Sequence, residues 1–150
     1  MMAELHIHAR SESGTFTEVT AGKHVICIDE PPFFGGGDAA PSPVELLLAS
    51  LAGAMIAIGR LTATELGLTI GAIEITVDGD CDSAGFFGRN FDQRVGYHAI
   101  RVHLTADTQE KTERLERWRE QVIRRCPVLD NLTAPVPISV VVYAGDLSNP

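Results

Sequence analysis

The sequence predicts an α+β domain in which helices segregate against antiparallel sheet. Three observations carry that expectation. Several short stretches alternate apolar and polar residues with period two, as half-buried strands do. An uninterrupted apolar run fills the interval between Glu45 and Arg60. Residues 108–125 are highly charged but carry Leu115, Trp118, Val122 and Ile123 on one helical stripe. At 150 residues the chain suits a single domain, 1–150, long enough to bury a core.

Taken in order, Leu5, Ile7 and Ala9 alternate with His6, His8 and Arg10, so a strand leads and Ser11–Gly14 turns it. Two further strands follow, over Thr15–Thr20 and His24–Asp29, joined by a tight turn at Ala21-Gly22-Lys23. Glu30–Pro43 is too rich in Pro and Gly for regular structure, and its Phe33 and Phe34 require apolar neighbours. Pro43 fits the first helical position, Glu45 complements the helix dipole, and Gly67 marks the stop. The run between is expected to be a helix buried on nearly all sides, its small residues admitting close neighbours; its uncharged interval falls short of the ~20 residues that span a bilayer. Ile73, Ile75 and Val77, then Ile100, Val102 and Leu104, mark two strands with one apolar face each, separated by a long Gly- and Phe-bearing connection over 79–96. After the amphipathic helix, Pro127 begins a short helix with Cys126 near its cap, and Val136–Tyr143 forms a last strand.

Twenty Asp and Glu against twelve Lys and Arg leave a net charge of −8, which disfavours nucleic acid and anionic membranes as partners. The first residues lack the basic flank and apolar core of a signal peptide, so a cytoplasmic location is expected. Three cysteines without a Cys-x-x-Cys pair point to individual reduced thiols, neither a disulfide framework nor a zinc site.

Cys126, at a helix N-terminus and preceded by Arg124 and Arg125, is the best candidate for thiol chemistry, because positive potential favours the thiolate. The competing reading is a small buried hydrophobe. Cys27 reads as packing within a strand, and the acidic neighbours of Cys81 disfavour its thiolate. His6 with His8, and His98 with His103, share candidate strands but lack metal-ligand spacing, so no metal or other cofactor is expected. Gly35-Gly36-Gly37 lacks the Lys-Ser/Thr of a phosphate loop, and Ser50 lacks the setting of a nucleophile elbow.

Together, Gly36-Gly37-Asp38, Pro41-Ser42-Pro43, the segment Glu45–Gly53, and Cys126-Pro127-Val128 with Asn131-Leu132 resemble the OsmC/Ohr family of thiol-dependent hydroperoxide reductases. The resemblance implies an OsmC-like fold, an intertwined homodimer with sheets wrapped around central helices, and paired sites near the subunit interface. It also implies a peroxide-attacking cysteine in the central helix, resolved by a second cysteine at the position of Cys126. The first position is Ala54, whose methyl group cannot form a sulfenic acid or a disulfide. Val44 stands where the Ohr branch carries a glutamate, Glu45 matches the broader pattern, and Arg10 lies only in the general region of the family's arginine.

The two-cysteine peroxidase cycle is therefore not expected. One remaining reading is single-thiol chemistry at Cys126, acting on an organic hydroperoxide with an external thiol reductant. The alternative is a non-redox protein holding an apolar small molecule in a dimer-interface pocket bounded by Ala54, Glu45 and Val44. A third is peroxide attack by Cys81 or Cys27, which needs Cα atoms within ~7 Å for disulfide resolution. Phe33, Phe34, Phe86, Phe87 and Phe91 are candidate pocket aromatics because they tip long loops.

Overall fold

The structure is a computed structural model describing residues 4–89, 92 and 94–145; Phe91 lies outside the described residues. Strands β1 (Ile7–Arg10), β2 (Thr17–Ala21) and β3 (His24–Ile28) form an antiparallel sheet in that order. Ala21 pairs with His24 across a two-residue turn in which Gly22 adopts φ +61°, the left-handed conformation that tight hairpins demand. Cys27, expected to be packed inside its strand, is exposed. Cys27 pairs with Glu18, itself opposite Arg10, so the register places it on the polar face of the sheet rather than the face of Ile7, Val19 and Ile26.

The Pro- and Gly-rich connection makes only a 3-10 turn at Pro32–Phe34. It winds around Asp29, which is buried and accepts hydrogen bonds from the Thr15 hydroxyl (2.6 Å) and the backbone N–H groups of Glu30, Gly37 and Ala39. These donors, the Thr15 hydroxyl foremost, lower the Asp29 pKa to about 2. Gly36 is required here because a Cβ would lie 1.7 Å from the Glu30 carbonyl oxygen.

Helix α1 runs Pro43–Glu65. Ser42 and Glu45 form a reciprocal capping box, the Ser42 N–H donating to Glu45 Oε2 (2.8 Å) and Glu45 N–H to Ser42 Oγ (3.4 Å). Gly67, at φ +60°, follows the last turn as expected. The expectation of burial on nearly all sides does not hold within one chain. Leu51, Met55, Gly59, Thr62 and Ala63 are buried along one face, while Val44, Leu47, Gly53, Ala57 and Leu61 are exposed. By length and composition this 23-residue helix is long enough to cross a bilayer, longer than its uncharged interval suggests. Its inner face instead packs on protein.

That packing comes from β4 (Ile73–Cys81) and β5 (Tyr97–Ala106), an antiparallel pair, and from α3 (Thr112–Arg125) and α4 (Pro127–Thr133). Ile75 pairs with Leu104 and Val77 with Val102, so one face of the ribbon presents the alternating apolar residues to the core. Trp118 is buried against α1 and donates from Nε1 to the Gly59 carbonyl at 2.9 Å. A Cβ at residue 59 would stand 3.2 Å from the indole, which gives the small residues of α1 a concrete use. The connection after β4 contains the short helix α2 (Ser83–Phe86). The last expected strand, Val136–Tyr143, does not form among the described residues: the segment joins no sheet of its own chain, and Ile138, Val140 and Val142 are 83–89% exposed. A strand needs a partner edge, and among the described residues this segment pairs with none.

Candidate functional site

Cys126 and Ala54 come together where α1, β5, α3 and α4 meet. Cys126 ends α3 and caps α4 in an extended conformation, as the Cys-Pro sequence implies, because proline disfavours a helical residue before it. The residue is only 1% exposed and packs in one cluster with Leu51, Met55, Ala63, Trp118 and Val122. Its side chain makes no capping hydrogen bond. Of the two arginines thought to favour a thiolate, Arg125 is bound bidentately to Glu65 on α1, which neutralises much of its field, and Arg124 is exposed.

Ala54 is half-buried and packs against the cluster that contains Cys126. The two motif positions therefore belong to one buried apolar cluster, which holds one thiol rather than two. Val44 and Glu45 are not brought to Ala54. Nine or ten residues of helix at 1.5 Å rise place them roughly 15 Å away along the axis. They also open to different sides of α1, Val44 toward β5 and α4, and Glu45 toward Ile75 and Val77 on β4. The Glu45 carboxylate is held below its usual range by the Ser42 hydroxyl and then the Ser42 N–H, so its first duty is capping.

Two crevices adjoin the Cys126 cluster and share Val102 and Leu129 in their walls. The larger, about 640 Å³, is floored by Met55 and bounded by β5 and α3. The smaller, about 400 Å³, is floored by Val44, Leu47 and Leu51 and bounded by the start of β5 and by α4. Leu51 and Met55, one turn apart, thus each floor one crevice.

Tyr97, which the sequence reading passed over, is set by an irregularity in the ribbon. Tyr97 pairs with Cys81 while Ala99 pairs with Asp80, leaving His98 as an extra residue on β5. The bulge lays the Tyr97 ring over Gly79, where any Cβ would lie 2.4 Å from it, and its hydroxyl donates to the Val44 carbonyl at 2.8 Å. Burial, with smaller contributions from the charges of Cys81 and Glu45, raises the Tyr97 pKa. The signal in the sequence was Gly79 inside an otherwise regular strand, since a missing side chain there leaves room for a neighbouring strand's ring.

The remaining candidates lie elsewhere. Phe33, Phe34, Phe86 and Phe87 join the two loops in one surface cluster, with ring centroids 4.7–5.5 Å apart and Arg89 over Phe87, so they meet one another rather than line the crevices. Arg10 pairs with Glu12 on the β1–β3 sheet. Cys81 is exposed, and all three cysteines are free. Among the described residues no group of three His, Cys, Asp or Glu side chains converges to hold a metal.

The comparisons agree with this architecture. A crystal structure of an OsmC-like protein from Mycoplasma pneumoniae superposes with TM-score 0.74 at 20% identity, covering 90% of this chain and 91% of that one. An organic hydroperoxide resistance protein, OsmC, from Legionella pneumophila gives 0.63 at 16% identity over 88% and 90%. The organic hydroperoxide resistance protein OhrB of Bacillus subtilis gives 0.56 at 19% identity over 89% and 93%. No curated protein sequence matches the chain. The family model for OsmC-like protein matches residues 35–141, which hold α1, the β4–β5 ribbon and the Cys-Pro turn, and the chain belongs to that family.

Proposed function

We propose that this OsmC-like protein does not run the two-cysteine peroxide cycle and instead holds an apolar small molecule in the crevices beside Cys126. The observation that carries this reading is the packing of Ala54 against the buried apolar cluster that contains Cys126: the two motif positions bring one thiol, not two, to that cluster. Apolar walls with few convergent polar groups are what small-molecule pockets offer.

The protein acts as a homodimer in this reading. Three apolar surfaces support that assembly: the β1–β3 sheet, which packs extensively on no other strand or helix among the described residues, the outer face of α1, and residues 135–145. A second copy supplies cover for all three at once.

A single-thiol reaction is the second reading, favoured by the position of Cys126 at the cap of α4 beside the crevices. Its sulfur would attack an organic hydroperoxide, forming an S–O bond, breaking O–O and releasing an alcohol. Two equivalents of external thiol would then restore Cys126 as their disulfide and water form.

Consumption of cumene hydroperoxide with dithiothreitol separates the readings. No turnover in the native protein, with a gain in Ala54→Cys, is the result expected for the binding protein. Native turnover that vanishes in Cys126→Ser would replace it with the one-thiol enzyme. Uptake of the neutral fluorophore N-phenyl-1-naphthylamine tests the cavity directly; no uptake would remove the binding function.

A further inference from the structure

The two crevices differ at their mouths. Beside the larger one, Arg119 is bound to Glu116 at 2.8 Å, so its charge is already met. Beside the smaller one stand Arg94 and His98, and Arg94 makes no ion pair or hydrogen bond among the described residues. His98 lies within electrostatic reach of Asp80, which is itself held bidentately by Arg101, so Arg94 is the cation left for a ligand. On a chain of net charge −8, a cation placed at an apolar opening selects for an anion there. The walls below it are Leu47, Leu51, Leu129 and Leu132. Tyr97 and Thr133, the other polar groups of the lining, already donate to the Val44 and Leu129 carbonyls and stay turned to protein.

We infer that the smaller crevice takes an amphipathic monoanion, an aliphatic carboxylate whose chain lies on Leu47, Leu51, Leu129 and Leu132 and whose headgroup meets Arg94, with His98 beside it. The inference rests on the binding function proposed above and adds to it the charge of the ligand and the residue that reads it. A guanidinium suits the task because its planar fork matches a carboxylate with two parallel hydrogen bonds, which an ammonium cannot do.

The test is displacement of N-phenyl-1-naphthylamine by decanoate and by 1-decanol, which share a chain and differ in charge. Decanoate is expected to bind roughly five- to tenfold more tightly than decanol, the range of one charge-assisted contact at a solvent-facing mouth. Arg94→Gln is expected to erase that preference while leaving decanol unchanged, and Arg119→Gln, at the other crevice, to leave it intact. Both substitutions are at exposed positions, and unchanged far-ultraviolet dichroism verifies folding. Equal binding of acid and alcohol would overturn the anion site while leaving the apolar pocket. A preference that survives Arg94→Gln combined with His98→Gln would place the anion elsewhere and overturn the assignment. Failure of the fluorophore and both ligands to bind would overturn the pocket itself.

Discussion

The half of the chain built from α1, β4, β5, α3 and α4 closes a core on itself, whereas β1–β3 and residues 135–145 leave comparable apolar side chains in solvent. Leu51, Trp118, Val122 and Cys126 are each 3% exposed or less, while Val25, Val136, Ile138 and Val142 range from 52% to 89%. Apolar content does not separate the two regions, because both carry many aliphatic side chains, Leu-rich in the closed half and Val and Ile in the open one. The difference is whether the described chain returns to cover the surface: one region is a finished core, and the other carries the apolar surface that a second copy would cover in the homodimer proposed above.

The largest effect is expected in the closed half. Trp118→Ala removes the indole packed on Gly59 together with its hydrogen bond to the Gly59 carbonyl, and should destabilise the protein by ~3–5 kcal/mol in urea unfolding. A loss below ~1 kcal/mol would mean that α3 is not pinned to α1 as described.

The open half is expected to respond in assembly rather than in the core. If the homodimer proposed above forms, Ile138→Asp with Val140→Asp should shift it to monomer in sedimentation velocity while the Trp118 emission maximum stays near that of the native protein. A red-shifted, unfolded monomer would show that the core is not self-sufficient, and an unchanged dimer would show that this segment is not in the interface.

Between the halves lies the Asp29 turn, whose effect is tied to pH. The folded-state pKa of about 2 lies below the ordinary 3.8, so the carboxylate stabilises the turn above pH 4 and loses that contribution as pH falls toward 2. Hydrogen exchange at Gly37 and Ala39 should accelerate across that window, beyond the intrinsic pH trend, in the native protein. In Asp29→Asn the step should be absent. A native profile without the step would mean that these N–H groups are protected by something other than the carboxylate.

The smallest effect belongs to the start of α1. Ser42→Ala breaks the capping box and should cost ~1 kcal/mol without altering the association state. A change in association state would instead tie the cap to the interface.

Much of this was legible in residues taken a few at a time. Ser42-Pro43-Val44-Glu45 specified a capped helix start, the Ile75 and Val102 alternations specified a half-buried ribbon, and Cys126-Pro127 specified a helix break, because caps, strand period and proline sterics act within one or two turns of chain. The exposed outer face of α1 was not legible: an all-apolar helix looks the same whether its cover comes from its own chain or from another. Nor was the Arg94 mouth, since an arginine in a loop acquires meaning only when folding lays it beside Leu51 and Leu132 from distant parts of the chain.

By itself the sequence determined the order of β1–β5, α1, α3 and α4, the family-like motifs and the absence of a thiol at residue 54, since each is a property of local chemistry. Only the tertiary structure decided that Cys126 is buried, that Val44 and Glu45 open to different sides of α1, and that Tyr97 is turned inward by a bulge. Burial and direction are properties of what lies across the fold, and no local pattern carries them.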